Sequence, residues 1–468
     1  MPSHRGYDPA LLAQGLAALT PVLLRYLTEA QAGHGKVLVQ RPVAEILEDL
    51  DFQSVVEDGQ ADLAALTAAI LEHSNHLADP RYIGHQVAVP MVPSALADLV
   101  SGLTNNGMPI YEMGPAATAI ERGMIRWLLD KVGWQDSGDG VMTHGGSLAN
   151  LTCLLAARAR ALPQAWEEGP SSGAVLLASA ASHYSIARAA AIMGLGRQAV
   201  QEIPVDGHGR IRVADLKILF DRLQDAGKKV VAVVINACVT ATGVYDPIYE
   251  TACFCRRRNA WLHVDGAHGA SALLAPQYRS LLAGIELADS LTWDTHKMLG
   301  TSTVCGVALF RQQSGLAQTF AQSGSYLFAG AGPGPDVAAH TVECTKQPLA
   351  MKLFFNLAVM GEAGLASHVA ELFQAARAFY DRIVSRPGFV GLCPPEANVF
   401  CFAYGDSGEL QDRIRQALVA EGDFYITRAT VDGRSYLRLA VMNPFTSAGH
   451  IDALCQRIEA LAEELTLA

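Results

Sequence analysis

Residues 288–310, which read ADSLTWDTHKMLGTSTVCGVALF, contain two predicted strands on either side of a lysine. Residues 290–294 and 304–310 are apolar enough for buried strands, and a polar turn separates them. Lys297 follows the first strand, directly after His296. A lysine beside an apolar segment is desolvated and gives up its proton more easily, and a neutral amine can attack a carbonyl carbon. Lys297 is therefore a candidate for Schiff-base formation, although an ordinary lysine that closes a strand would look the same.

Predicted strands and helices alternate upstream of this stretch. The strands are residues 175–179, 199–203, 230–237 and 261–265, with helical patterns between them. This alternation predicts an α/β fold with a mainly parallel sheet that helices cover on both faces. Ligands of such sheets collect at the carboxyl ends of the strands. The polar residues at these ends are His183, Thr240, Asp265, His268 and Lys297.

A two-glycine turn precedes an apolar helix in residues 138–159, GDGVMTHGGSLANLTCLLAARA. Backbone N–H groups at a helix start point at any anion placed there, and the glycines leave them unobstructed. Gly146 and Ser147 therefore form a candidate phosphate cradle, and a plain helix cap is the alternative.

Two further residues have side chains that suit a planar, charged ligand. Asp265 ends an apolar strand, where a carboxylate requires a cationic or donor partner such as a protonated ring nitrogen. His183 begins a helix at another strand end, where its imidazole can lie flat against a ring or simply bond to backbone. Pyridoxal 5'-phosphate requires an anion cradle, a flat side chain against its ring, a carboxylate and a lysine. The chain supplies candidates for all four, in the order Gly146/Ser147, His183, Asp265 and Lys297.

The chain also closely resembles the group II pyridoxal-phosphate-dependent amino-acid decarboxylases, a family that includes glutamate, cysteine-sulfinate and aromatic amino-acid enzymes. The resemblance extends from about residue 76 to 444. It rests on segments that include PRYIGHQ, GDGVMTHGGSLAN, SHYSIARAAAIMG, HVDGAHGA, TWDTHKM and LRLAVMNP.

The resemblance implies a fold-type-I enzyme, usually a homodimer with a shared active site, and a role for each matching residue. Lys297 would carry the cofactor, Asp265 would pair with its pyridine nitrogen, and His183 would stack on its ring. The remaining cofactor contacts would come from Gly146, Ser147, Thr240, Ala267 and His296. Arg438 would bind the α-carboxylate of the substrate, with an ordinary strand arginine as the alternative. The implied reaction converts an L-amino acid to its amine and carbon dioxide.

Several positions depart from the family pattern. Pro109-Ile110 removes a hydroxyl that helps to select glutamate, Asp294-Thr295 replaces Asn-Pro, and His268 stands where many animal enzymes have an aromatic residue. The loop AGAGPGPDVAAH, residues 329–340, has Gly334 near the position of a tyrosine that delivers a proton in many relatives. Its glycines and prolines fit a mobile lid or a plain linker. Proton delivery would then fall to His183, His340 or water.

The predicted substrate is a small acidic or polar amino acid. Arg81, His85 and Gln86 lie in an extended segment, residues 76–93, where they would meet a polar side chain or only satisfy backbone groups. Three alternatives are open: an aromatic substrate, a decarboxylation-dependent oxidation that gives an aldehyde, and a catalytically silent binding homologue.

Three domains are expected. Residues 1–75 read as a helical arm, which would clasp a second subunit or pack on its own chain. Residues 76–345 form the large cofactor-binding domain, and residues 346–468 a small α+β domain.

Composition limits the classes of partner. The formal net charge of −11 argues against a nucleic-acid-binding surface. The nine cysteines are scattered without metal-site spacing, so we expect thiols in a reducing cytoplasm and no metal. The amino-terminal residues do not read as a leader, and no apolar run reads as a membrane span.

Overall fold

Two β-sheets organise the chain in a computed structural model that describes residues 6–59, 61–313, 316, 319–320 and 336–467. The larger sheet has seven strands in the spatial order β1-β7-β6-β5-β4-β2-β3. In chain order these strands are β1 (Asp139–Thr143), β2 (Ala174–Ser179), β3 (Val200–Ile203), β4 (Lys229–Asn236), β5 (Leu262–Asp265), β6 (Ser290–Asp294) and β7 (Gly306–Phe310).

The pairing of the large sheet confirms the predicted α/β class. Strands β3, β2, β4, β5 and β6 are parallel to one another, whereas β7 runs antiparallel to both β6 and β1. Residues 295–305 connect β6 to β7 without a crossover helix, so β7 returns in the opposite direction. This short connection carries Lys297 along the edge of the sheet where β6 ends.

Helices cover both faces of the large sheet, as the alternation predicted. Leu176 and Ala178 of β2 pack into a core with Leu154 and Ile186, while Val175 and Leu177 pack into the opposite core. Successive residues of a strand point to opposite faces, which explains why β2 is apolar from Ala174 to Ala178 without alternation. The helices of this part are α5 (Val92–Thr104), α6 (Pro115–Val132), α7 (Gly146–Ala161), α8 (Ser185–Ile192), α9 (Val213–Asp225) and α10 (Ile248–Arg257).

A second, smaller sheet lies in the carboxy-terminal part. It is antiparallel throughout, in the order β10-β11-β9-β8. Its elements are α11 (Ala350–Val384), β8 (Phe389–Gly391), β9 (Val399–Tyr404), α12 (Gly408–Glu421), β10 (Thr427–Val431), β11 (Arg434–Ala440) and α13 (Ala448–Leu467). Helix α11 packs against α5 and α6 as well as α13, so the domain boundary at residues 345/346 stays a prediction.

The amino-terminal segment is helical, with α1 (Ala10–Gln31), α2 (Val43–Asp49), α3 (Phe52–Asp58) and α4 (Leu63–Glu72). Helix α1 packs against α4 and buries only Ala30. Its leucines stay largely exposed.

Two helices, α1 and α11, are long and apolar enough to cross a membrane by length and composition. The prediction that no segment reaches that length was therefore wrong, because scattered polar residues interrupt the apolar runs without lowering the average hydropathy enough. Helix α11 is partly buried against other helices and has Gly361 in the left-handed region, with φ of 64°. Such length is weak support for a membrane span on its own.

Candidate active site

A cavity of about 320 Å³ lies at the carboxyl ends of β2, β4, β5 and β6, where the sequence predicted a ligand site. It holds all eight predicted cofactor-binding residues, Gly146, Ser147, His183, Thr240, Asp265, Ala267, His296 and Lys297. The rest of its lining consists of Gln86, His144, Gly145, Asn150, Cys238, His268, Asp294 and Val304.

The Lys297 amine lies beside a buried carboxylate. Its Nζ is 3.5 Å from Oδ2 of Asp294, and the Lys297 side chain is 21% exposed against 4% for Asp294. Backbone turns hold this geometry, since the Lys297 N–H donates to the Asp294 carbonyl. His296 stands next to the pair, with Nε2 4.0 Å from Asp294 Oδ2 and Nδ1 2.8 Å from the Cys305 carbonyl.

Asp265 is buried at the end of β5 and accepts two hydrogen bonds. Asn150 Nδ2 donates to Oδ2 at 2.9 Å, and the Ala267 N–H donates to Oδ1 at 3.2 Å. The Asn150 amide is oriented from behind by His263, whose Nε2 lies 2.9 Å from Asn150 Oδ1. Burial lowers the pKa of His263 to about 4, so this imidazole is neutral at physiological pH.

His183 is half-buried at the start of α8. Its Nδ1 lies 2.9 Å from Ser185 Oγ and accepts from the Ser185 N–H at 3.3 Å. These contacts assign the proton of the neutral ring to Nε2. Burial lowers the pKa of His183, partly offset by the negative charge of Asp265.

Two glycines stand at the start of helix α7, beside the cavity. A backbone constraint applies to the first and a steric constraint to the second. Gly145 has φ of 88°, a conformation that side chains disfavour. At Gly146 a Cβ would stand 2.6 Å from Asp294 Oδ2. The bare helix start suits an anion, as predicted, and it also makes room for the Asp294 carboxylate.

Gln86 and His268 line the cavity, and each has a polar side-chain atom without a hydrogen-bond partner within the described ranges. Gln86 Nε2 and His268 Nδ1 are both buried. His268 Nε2 lies 2.6 Å from Asn398 Oδ1, and Asn398 Nδ2 donates to the Val441 carbonyl. The Asn398 orientation makes Nε2 the donor of His268 and leaves Nδ1 as a hydrogen-bond acceptor. Burial lowers the pKa of His268 to about 3.

Other predicted residues lie outside the cavity lining. The buried Arg438 guanidinium donates to the carbonyls of Thr240, Ala241 and Gly84, so its grip on a substrate carboxylate stays a prediction. His85 is exposed, with Nε2 3.0 Å from Tyr425 Oη.

Two more candidates are engaged elsewhere. Arg81 forms a bidentate ion pair with Asp79. His340 contacts Arg122. Most of the predicted lid, residues 329–335 including Gly334, lies outside the described residues.

Sequence reasoning missed Asn150 and His144. Asn150 lies four residues after Gly146, which puts both on one face of α7, and this spacing could have pointed to it. His144 precedes the glycine pair and places Nδ1 2.5 Å from Glu343 Oε1. That contact joins residues 199 positions apart, so no local pattern predicts it.

The residues present fit pyridoxal phosphate. Lys297 offers an amine and Asp265 a buried carboxylate, while Asn150 fixes the carboxylate and the start of α7 offers N–H groups to a phosphate. His183 supplies a planar side chain in the same cavity. Each chemical requirement of the cofactor therefore has a candidate in one cavity.

Comparisons with known proteins agree with this chemistry. The chain is 28% identical to the acidic amino acid decarboxylase GADL1 of Mus musculus, over 92% of this chain and 82% of the relative. It is 31% identical to the L-2,4-diaminobutyrate decarboxylase of Rhizobium meliloti (strain 1021), over 90% of this chain and 86% of the relative. The crystal structure of mouse CSAD superposes with a TM-score of 0.90 at 24% identity, covering 97% of this chain and 99% of that one.

A family model described as the pyridoxal-dependent decarboxylase conserved domain matches residues 45–405, which is most of the chain. Together with the relatives, this match makes the protein a pyridoxal-phosphate-dependent carboxy-lyase that acts on an amino acid. The chain belongs to the group II pyridoxal-phosphate-dependent decarboxylases.

Proposed function

We propose that this decarboxylase acts on an L-amino acid with a short acidic or polar side chain. The observation that carries the proposal is the Gln86 amide: Gln86 lines the cavity, and its buried Nε2 has no hydrogen-bond partner among the described residues. A buried donor left unpaired costs about 1–3 kcal/mol, and an oxygen or nitrogen acceptor of the substrate would recover it. The phenylalanine side chain offers no such acceptor and the tryptophan indole only donates, so these two aromatic substrates leave the amide unpaired.

The lining supports the same choice. Among the sixteen described residues that line the cavity, none is Phe, Tyr or Trp, and one of them, His268, has an unpaired acceptor nitrogen. The two relatives compared above act, by their names, on acidic amino acids and on L-2,4-diaminobutyrate. Both kinds of substrate have short side chains that end in polar atoms.

Bound pyridoxal phosphate supplies the electron sink for the bond that breaks at the α-carbon. The chain's own residues then have defined tasks in the proposal. Lys297 would hold the cofactor, Asp265 would keep a proton on its ring nitrogen, and His183 would supply a planar side chain against the ring. The contacts at Nδ1 leave the proton of the neutral His183 ring on Nε2, and His183 lines the cavity, which makes it a candidate proton donor to the α-carbon.

The test is a substrate survey with the purified holoenzyme. The twenty amino acids, cysteine sulfinate, 2,4-diaminobutyrate and DOPA are assayed for carbon dioxide and hydrogen peroxide together. We expect the highest kcat/KM for a short acidic or polar substrate, without peroxide. A preference for tryptophan, tyrosine or DOPA overturns the substrate class. Peroxide in step with carbon dioxide indicates the oxidative reaction, and no turnover at all favours a silent homologue.

We further propose a homodimer whose interface includes α1. The exposed leucines of α1 support this proposal, with Leu16 42%, Leu23 41% and Leu24 60% exposed. Exposed apolar surface of this extent on one helix favours burial against a partner. A sharing of the active site between subunits is part of the same proposal.

We propose a cytoplasmic location without nucleic-acid or membrane partners. The net charge of −11 disfavours polyanions. All nine cysteines are free thiols, which suits a reducing compartment. Fractionation of cells that produce the protein tests the location directly.

A further inference from the structure

The buried carboxylate of Asp294 has the Lys297 amine as its nearest cationic neighbour. Its Oδ2 lies 3.5 Å from Lys297 Nζ, and Oδ1 has no hydrogen-bond partner in the described part of the chain. Asp294 is 3% exposed. An ionised carboxylate in such surroundings is costly unless a positive charge stays beside it.

The packing fixes this carboxylate in place. A Cβ on Gly146 would stand 2.6 Å from Oδ2, and a Cβ on Gly306 would collide with Oδ1. The Asp294 side chain is therefore confined between the start of α7 and the start of β7.

The groups around Asp294 shift its pKa in opposite directions. Burial is the largest influence and raises the pKa of Asp294, while Lys297 and His296 lower it and Asp265 raises it further. His183 is a more distant titratable neighbour on the cavity wall and feels the charge of Asp294. When Lys297 loses its positive charge, Asp294 loses its main stabilising partner and binds a proton more readily.

We propose that Asp294 accepts the proton of the Lys297 ammonium and returns it when the amine is released. This proposal rests on the proposed role of Lys297 in holding the cofactor. One N–H bond at Nζ breaks and one O–H bond at Oδ2 forms, so the pair keeps the same single proton. The nitrogen is left with the free electron pair that attack on a carbonyl carbon requires.

Proton transfer within the Asp294–Lys297 pair predicts a different pH dependence from proton release to water. While the pair holds one proton, the fraction of neutral Lys297 does not depend on pH. Without the carboxylate, the ammonium must release its proton to water, a reaction that each added pH unit favours about tenfold.

The experiment measures cofactor uptake rather than turnover. Wild-type and Asp294→Asn apoproteins are mixed with pyridoxal phosphate between about pH 6 and 8, and the rate constant for the visible absorption of the covalent complex is recorded. Protonation changes of the free cofactor affect both proteins and cancel in the ratio. We expect the ratio of wild-type to variant rate constants to fall about 100-fold across this range.

Control variants separate the outcomes. Asp130→Asn removes one surface charge, since Asp130 is 58% exposed, and its ratio to wild type should stay near one at every pH. A wild-type to Asp294→Asn ratio that is constant with pH would mean a merely structural role and overturns the proposal. If the rate constants of wild type and Asp294→Asn rise equally steeply with pH and differ only in the pH at which they level off, Asp294 only stabilises the ammonium. That result also overturns the proposal.

Two further measurements keep the result interpretable. Lys297→Ala should abolish the visible absorption, and a band that survives contradicts the role of Lys297 rather than that of Asp294 alone. Thermal unfolding of each apoprotein checks the fold. Should Asp294→Asn fail to fold, Asp294→Ser removes the same charge with a smaller side chain.

Discussion

Donor and acceptor roles can be assigned without conflict to each hydrogen bond in the chain of residues that ends at Asp265. Trp261 Nε1 donates to Ser290 Oγ, which lies 2.9 Å from His263 Nδ1 and can donate to it. The other ring nitrogen of the neutral His263 then donates to Asn150 Oδ1. Asn150 Nδ2 is left to donate to Asp265. The carboxylate predicted from the end of β5 is thus positioned by residues that sequence patterns did not single out.

The neutral His263 gives stability that is lost in acid. Its pKa is about 4 in the fold and about 6.5 when unfolded, so the unfolded chain binds more protons between these values. The free energy of unfolding therefore falls as pH drops from about 6.5 towards 4, by roughly 1–2 kcal/mol between pH 7 and 5 from this residue. Urea unfolding at pH 7 and 5 measures the loss, which should be smaller in His263→Gln. An equal loss in the variant would assign the acid sensitivity to other groups.

The unpaired Gln86 amide makes a second prediction at this scale. Gln86→Leu keeps the approximate size but removes the donor, so a polar substrate loses one hydrogen bond worth about 1 kcal/mol. We expect KM for the best polar substrate to rise about fivefold to tenfold with kcat nearly unchanged. Gln201→Leu, on strand β3 away from the cavity lining, is the matched control. Unchanged KM in Gln86→Leu means that this amide does not contact the substrate.

The elements that carry the site were also the easiest to predict. Strands β4, β5 and β6 are buried along nearly all of their length because both faces of the sheet are covered, and Lys297 and Asp265 lie where β6 and β5 end. Strands β8 and β10 were missed because each is short and alternates burial in an antiparallel sheet. The contact of Gly146 with Asp294 joins α7 to β6, and no local sequence signal reports such long-range packing.

Two helical glycines test this packing. Gly146→Ala at the start of α7 places a methyl group against the Asp294 carboxylate, so we expect a loss of about 1–3 kcal/mol in unfolding free energy and weaker cofactor binding. Gly123→Ala in α6 meets nothing within 4 Å and should stabilise the fold by roughly 0.5–1 kcal/mol. Urea unfolding and cofactor titration of both variants check the contrast. If Gly146→Ala and Gly123→Ala raise the free energy of unfolding equally, the Asp294 carboxylate can move aside without an energetic penalty, and the predicted contact is wrong.

The whole molecule has more apolar surface at its amino-terminal end than its own chain covers. The sequence predicted a helical arm of residues 1–75 but could not say what covers it. In the structure α1 contacts α4 and leaves its leucines exposed, because no other described element of the same chain packs along its length. Helix α5 likewise exposes Val92, Leu96 and Leu103. These faces favour the predicted clasp over packing on the same chain.

A charged arm tests the clasp. In Leu16→Glu/Leu23→Glu/Leu24→Glu, three carboxylates would enter the proposed interface, and each unpaired charge costs several kcal/mol when buried. Light scattering after size exclusion should give twice the 49.8 kDa of one chain for the wild type and the single-chain mass for the variant. Ile218→Glu, which changes a 68% exposed residue on α9, should leave the mass unchanged. A variant that keeps the doubled mass would place α1 outside the interface, and a wild type with the single-chain mass would contradict the homodimer itself.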